Sequence, residues 1–400
     1  MTPYYQADDL TIYCGDARAV LPTLAAGSVQ TCVTSPPYFG LRRYLSDEHE
    51  DKQHEIGTEQ TPDEYVTALV AVFREVKRVL RDDGTLWLNL GDSYVGGGTA
   101  GSAAAFKGKQ GTNHGSLNMI GPALRISGFK PKNLIGIPWM VAFALRADGW
   151  WLRSDIIWNK PSCMPESVTD RPTRSHEYIF LLSKSASYYY DADAIREPWA
   201  DDRNGSPGGH KQRERNRGGR TDGFTTAPQD WIAPEGRSGR NKRTVWTVPT
   251  QPFSGSHFAT FPEKLVEPCI LAGSSAHGAC EVCGAPWARV VEREEGDWQH
   301  RKANGATSGS LTNGHNASHG NGTNHTLGQR AIVGEQWRPT CTCPGTTGSG
   351  RSVVLDPFAG SGTVGRVALR HNRAAVLVEL NPDYIELQDV RTNGVQRMLV

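Results

Sequence analysis

Residues Ser352 to Leu387 run SVVLDPFAGSGTVGRVALRHNRAAVLVELNPDYIEL. The apolar run SVVLD passes through a glycine turn, FAGSG, into the amphipathic segment TVGRVALRHN, and a second apolar run ends on Glu379. Strand, glycine turn, helix and strand in that order form a βαβ unit, in which the helix carries the chain back so that the two strands lie parallel. Such a turn lets a ligand approach the backbone at a helix N-terminus. The spacing is not that of a GxGxxG dinucleotide turn, and the Lys of a P-loop is missing, so a phosphate is not the expected main ligand. Glu379 stands 23 residues after Asp356 at the end of the next strand. A carboxylate there is placed to accept hydrogen bonds from both hydroxyls of a ribose.

The same alternation extends through the rest of the chain. LTIYCGDARAVLPTL (10–24) predicts a short strand, a turn at Gly15-Asp16 and the start of a helix, and SVQTCVTSPPY (28–38) a second strand ending in a stiff turn. TPDEYVTALVAVFREVKRVLRDDG (61–84) predicts a helix with Thr61 as N-cap, Pro62 in the first turn and Gly84 as its stop, and TLWLNLGD (85–92) a strand. A helix from about Pro138 and a strand follow in residues 135–160, then strands at HEYIFLLSKS (176–185) and TVWTVPT (244–250). FPEKLVEPCILAG (261–273) predicts a helix opened by Pro262 and closed by Gly273. The class is therefore α/β, a Rossmann-like, mostly parallel sheet with helices on both faces and loop insertions.

Four hundred residues with a formal net charge of +1 accommodate a large α/β domain with insertions and need no disulfide staples. No apolar run approaches the roughly 20 residues of a membrane span, and MTPYYQADDLTIYCGD lacks the basic start and apolar stretch of an export signal, so a soluble, cytoplasmic protein is expected. The charge is unevenly spread. Between Arg203 and Arg243 ten Lys/Arg stand against four Asp/Glu, with KQRERNRGGR at the centre. Taken alone this is a solvated loop or a polyanion-binding one. Residues 93–132, rich in Gly, Ala, Ser and Lys, suggest a long mobile loop, and KANGATSGSLTNGHNASHGNGTNHTLG (302–328) is low-complexity.

DPFAGSGT (356–363), VELNP (378–382) and TSPPY (34–38) together resemble the S-adenosylmethionine-dependent amino-group DNA methyltransferases. The proline turn is similar to that family's catalytic motif and precedes the glycine turn by more than 300 residues, the permuted order of the beta class. YCGDA, DGTLWLNLGD, DIIWNKP, RPTRSHEYIFLLSKS and HFATFPEKL match in sequence, the last resembling the segment over the methionine end of the cofactor. The resemblance implies catalytic Ser35, Pro36, Pro37 and Tyr38. It implies a cofactor site of Asp16, His257, Phe258, Thr260, Phe261, Asp356, Phe358, Gly360, Ser361, Gly362, Thr363 and Glu379. Asp16 has two readings, contact with the cofactor adenine or capping of the helix that follows it. His176 and Glu177 are read as structural or orienting groups.

The resemblance also gives TSPPY a physical purpose. An exocyclic amino nitrogen is a poor nucleophile because its lone pair is delocalised into the base ring. If Ser35 and a Pro36 carbonyl accept its two N–H groups, the nitrogen is drawn toward tetrahedral geometry; two prolines hold that carbonyl outward without a competing donor. Tyr38 then stacks on a base flipped out of duplex DNA. A motif headed by Ser resembles the cytosine-N4 form of the family, and adenine N6 is the alternative target. RNA, a protein amide and a catalytically silent DNA-binding module are remoter readings. A restriction partner is compatible with such an enzyme.

CEVCGAPW (280–287) and CTCPG (341–345) resemble a zinc ribbon, so Cys280, Cys283, Cys341 and Cys343 are expected to hold a structural zinc, with His277 or Cys269 as substitute ligands. The expected task of this metal is to shape a DNA-facing lobe. The organisation is then a catalytic half over 1–200, a basic target-recognition region over 201–245 and a cofactor-covering segment over 246–279. A Cys-rich insert over 280–345 and the cofactor-binding half over 346–400 complete it.

Overall fold

The computed structural model describes residues 1–41, 44–95, 128–163, 166, 168–197, 240–251, 261–293 and 332–392. Residues 203–239 of the basic stretch, 96–127 of the Gly/Ala/Ser-rich segment, the 302–328 tract, and His257, Phe258 and Thr260 lie outside them. The chain divides into two units, one of Met1–Ile195, Arg243–Ala288 and Arg338–Val400, the other of Arg196–Lys242 and Arg289–Trp337.

The strands in chain order are β1 (Tyr5–Ala7), β2 (Leu10–Cys14), β3 (Val29–Thr34), β4 (Leu80–Leu90), β5 (Trp151–Asn159), β6 (His176–Ser183), β7 (Val245–Thr247), β8 (Trp287–Arg293), β9 (Ile332–Pro339), β10 (Val353–Asp356) and β11 (Ala374–Glu379). The helices are α1 (Ala17–Val20), α2 (Pro62–Val79), α3 (Ile137–Ala147), α4 (Glu263–Gly273), α5 (Thr363–Arg370) and α6 (Pro382–Thr392). Nine strands form one sheet in the order β1-β2-β11-β10-β3-β4-β6-β5-β7, while β8 and β9 pair separately. From β2 to β4 every neighbour is parallel, and β6 is antiparallel to both β4 and β5.

The two faces are separated by the period of two along each strand. Leu86, Leu88, Leu90, Phe180 and Leu182 pack with α1, α2 and α3, whereas Trp87, Ile179, Leu181, Val354 and Leu377 pack with α4, α5 and α6. The chain leaves β3 for β4 through α2 on one face and leaves β10 for β11 through α5 on the other. β3 and β10 are neighbours, so the crossovers diverge between them. At such a switch point the carboxyl ends of the strands border a ligand crevice.

One boundary differs from expectation. Helix α2 starts as the sequence indicates, with a capping box in which Thr61 Oγ1 accepts from Glu64 N at 3.2 Å and Glu64 Oε2 accepts from Thr61 N at 3.1 Å. It stops at Val79 rather than at Gly84, and Gly84 lies inside β4. Leu80 is fully buried opposite Val29, so the sheet claims it as an extended residue. The register then shifts between Val29 and Thr31, and residues 81–84 take up the slack.

Candidate active site

The carboxyl ends of β2, β3, β4, β5, β10 and β11 and the start of antiparallel β6 share one edge of the sheet, where they border a cavity of about 260 Å³. It is lined from the proline turn by Ser35, Pro36, Pro37 and Tyr38, and from the glycine turn by Asp356, Phe358, Gly360, Ser361 and Thr363. Glu379, Asp16 and Phe261 also reach it. Gly362 precedes α5 as its N-cap, with φ +78°, and Gly360 has φ +51°, backbone geometry that L side chains rarely tolerate.

The two halves meet directly. Thr34 Oγ1 donates to Asp356 Oδ1 at 2.7 Å, and Phe358 N donates to the same oxygen at 3.1 Å. Burial pushes the Asp356 carboxyl up to about 7, against these two bonds and with help from the Glu379 charge. Glu379 Oε2 accepts from Gly360 N at 2.7 Å and Oε1 from Asn381 N at 2.8 Å. Even so, loss of hydration pushes Glu379 to about 7 as well. Asp16 caps α1, its Oδ1 accepting from Arg18 N at 2.9 Å, and its carboxylate also pairs with the Arg18 guanidinium. It therefore performs the capping role while lining the cavity.

At the other end of the cavity a polar network surrounds the proline turn. Tyr38 Oη donates to Glu177 Oε2 at 2.7 Å, and Asn89 Nδ2 lies 2.6 Å from Tyr38 Oη, 3.2 Å from Ser35 Oγ and 3.2 Å from Glu177 Oε2. The acceptor-only carboxylate fixes which end of the Asn89 amide faces this group. Lys160 pairs with Glu177 Oε1. Burial and then the Glu177 charge raise the Tyr38 phenol well above its usual range, so it stays protonated. Gly91 makes room for the ring, since a Cβ there would lie 2.5 Å from Tyr38 Cε2. Pro37 O is occupied by the Tyr65 hydroxyl at 2.8 Å.

Asn89, Lys160, Trp158, Tyr44, Asn381 and Tyr384 line the cavity without having been singled out in the sequence. Asn89 did carry a signal, a polar residue inside the apolar run LWLNL, and the structure buries it to 2% exposure. Glu177, read from sequence as a structural or orienting group, reaches the site because pairing of Leu90 with Tyr178 brings the start of β6 to it.

The four cysteines of the two short motifs also come together, with every sulfur within 4.8 Å of the others. Gly284, at φ +68°, turns the first knuckle; Gly284 N donates to Cys280 O at 2.8 Å, and Val282 N points at Cys280 Sγ at 3.4 Å. Cys269 is buried in α4, and His277 packs its ring on Trp287. The knuckle is tied to the amino-terminal ends of central strands, Gln30 Nε2 donating to Gly284 O at 2.8 Å and Arg81 Nη1 to Cys283 O at 2.5 Å. This is the sheet edge opposite the cavity. Its attachments are those of a clamp on the stem of the insert.

Residues 29–279 and 341–389 match the N6/N4 methyltransferase family model, described as DNA methylase. The chain is 38% identical over 384 residues to the Type II methyltransferase M.Cfr9I of Citrobacter freundii, covering 96% of this chain and 88% of that protein. It is 44% identical over 267 residues to M.SmaI of Serratia marcescens, covering 67% of this chain and 76% of that one. The solved PvuII DNA methyltransferase, described as cytosine-N4-specific, shares the fold with a TM-score of 0.51 at 16% identity, over 98% of this chain and 90% of that one. The diverging crossovers, the joined proline and glycine turns and these matches agree: the chain belongs to the N6/N4 DNA methylase family and is an S-adenosylmethionine-dependent DNA methyltransferase.

Proposed function

We propose that the enzyme methylates the exocyclic amino group of a base flipped out of DNA, with cytosine N4 as its target. One observation carries this reading: the proline turn and the Asp356–Glu379 unit line a single cavity and are joined by the Thr34 to Asp356 bond. The residues fit S-adenosylmethionine. Glu379 has one backbone donor on each oxygen and a carboxyl pushed up for want of hydration, so the two hydroxyls of a ribose complete its shell. The turn from Asp356 to Thr363 would cradle the remainder of the cofactor. Asp16 would face the adenine, and Phe261, with His257, Phe258 and Thr260, would cover the methionine end. When bound, the cofactor supplies an electrophilic methyl group on a sulfonium.

The chain's own residues then handle the base. Ser35 Oγ and the Pro36 carbonyl accept the two amino N–H groups, Pro37 O being already occupied by Tyr65. Asn89 holds Ser35 in place from behind. The ring of Tyr38 provides the stacking surface that offsets the few kcal/mol of unstacking. A hydroxyl at the head of the motif favours cytosine. Digestion of enzyme-methylated DNA to nucleosides and weighing them tests this: N4-methylcytosine is expected. N6-methyladenine as sole product overturns the target, and absence of any methylated base overturns the reading.

The Arg203–Arg243 stretch would neutralise phosphates and read guanine edges, as its ten basic residues suggest. Four thiolates at 280, 283, 341 and 343 suit a closed tetrahedral zinc, and their mutual approach and the N–H directed at Cys280 Sγ support it. Activity on DNA supports a cytoplasmic location and is compatible with a cognate restriction enzyme as partner. Among the described residues no helix is long and apolar enough to cross a membrane.

A further inference from the structure

Methyl transfer to an amino group leaves a proton to be disposed of inside a buried site. The N–C bond forms as the C–S bond breaks, the electron pair stays on sulfur, and the positive charge passes to the nitrogen. Loss of one N–H proton restores a neutral base. Ser35, the first acceptor, has no carboxylate of its own: its neighbour Asn89 presents an amide nitrogen, which donates and takes up no proton. A carboxylate is nevertheless reached in two further steps. Ser35 Oγ and Tyr38 Oη both lie against Asn89 Nδ2, at 3.2 and 2.6 Å, and Tyr38 Oη donates to Glu177 Oε2 at 2.7 Å.

We propose that Glu177 is the terminal proton acceptor of the reaction, reached from the target amino group through Ser35 and Tyr38. The transferred nitrogen gives its proton to Ser35 Oγ, Ser35 gives its own to Tyr38 Oη, and Tyr38 gives its own to Glu177 Oε2. Glu177 ends as the neutral acid and both hydroxyls are restored. The phenol, held well above its usual range, relays the proton without ionising for long. The two N–H groups of Asn89 are shared among Ser35 Oγ, Tyr38 Oη and Glu177 Oε2, all within 3.2 Å of Nδ2, and so hold the three oxygens around one point. Lys160 pairs with Glu177 Oε1, leaving Oε2 to the relay, and His176 is the neighbouring titratable group on β6. Glu177 acts through Tyr38 and Ser35, so it is a positioning and proton-accepting residue one step removed from the base.

This inference rests on the amino-methyltransferase reading, and wild-type methyl transfer to DNA tests that reading separately. Single-turnover rates are measured across pH for wild type, Glu177→Gln, Tyr38→Phe and the double variant, with cofactor affinity by calorimetry as the control for folding. Glu177→Gln should lower the transfer rate about 100-fold, at the lower end of general acid–base effects. The acidic limb of the pH–rate profile should disappear with it while cofactor affinity is kept. Tyr38→Phe keeps the stacking ring and should lose as much, and the double variant no more. In the cofactor-free enzyme, ¹³C-labelled tyrosine should show a Tyr38 ring signal displaced in Glu177→Gln relative to wild type, because the phenol loses its carboxylate acceptor. A Glu177→Gln variant that transfers methyl at the wild-type rate, or that keeps the acidic limb, overturns the relay while leaving the methyltransferase standing. Additive losses in the double variant overturn it equally.

Discussion

Replacement of Glu379 by Gln should weaken cofactor binding by an amount that depends on pH in a defined direction. The carboxyl sits near 7 in the free enzyme because loss of hydration outweighs the N–H groups of Gly360 and Asn381. A ribose offers two hydroxyl donors, which favour the ionised form. At pH 8 wild type is mostly ionised and binds through charge-assisted hydrogen bonds worth about 1.5–3 kcal/mol, so Glu379→Gln should lose roughly 10- to 150-fold in affinity. At pH 6 the wild-type carboxyl is mostly protonated before binding, and part of the advantage is spent on removing that proton. The ratio of the two dissociation constants should therefore shrink by about tenfold between pH 8 and pH 6, since one pH unit below the carboxyl value corresponds to 1.36 kcal/mol. Titration calorimetry with S-adenosylmethionine at both pH values measures it. Asp356 also sits near 7, chiefly through burial that both proteins share, with the Glu379 charge the smallest of its causes, so most of its contribution cancels in the ratio. Equal affinities at pH 8, or a ratio that does not change with pH, would refute the placement of the ribose on Glu379.

The folded-state values of Asp356 and Glu379 are both raised, so their contribution to the stability of the free enzyme is fully present below the unfolded carboxylate range and is lost as pH rises through about 7. Thermal melts of cofactor-free protein should accordingly show a falling Tm from pH 6 to pH 8, and a flat or rising Tm contradicts the burial of the pair. Gly91→Ala would put a Cβ 2.5 Å from Tyr38 Cε2 and displace the ring, so turnover should fall at least tenfold with cofactor affinity retained. Unchanged turnover would show that the ring position is not critical. Elemental analysis of protein purified without chelator should find one zinc per chain; its removal should lower Tm through the clamp at Gln30 and Arg81, leaving cofactor affinity at permissive temperature intact. A zinc content near zero excludes the site.

Much of this molecule was determined by local chemistry that a sequence displays. The glycine turn, the carboxylate ending the next strand, the N-cap at Thr61 and the proline turn each follow from φ preferences, hydrogen-bond deficits and apolar periodicity within a few residues. Their alternation was enough to give a mostly parallel sheet with helices on both faces, and the switch-point rule put the two motif turns in one crevice. The helix end at Val79 was not legible in that way, because it depends on the burial of Leu80 against Val29, a partner 51 residues away. The polar network is likewise tertiary. Asn89, Lys160 and Glu177 come from β4, the residue after β5 and the start of β6, and only the antiparallel pairing of β6 turns a strand's beginning toward a site built from strand ends. The cysteine spacing announced a four-thiolate cluster, yet its position at the opposite edge of the sheet was set by Gln30 and Arg81, residues with no motif around them. Local propensity acts over a handful of residues and is written in them; which distant side chain completes a pocket or holds a clamp is decided by the packing of the whole sheet.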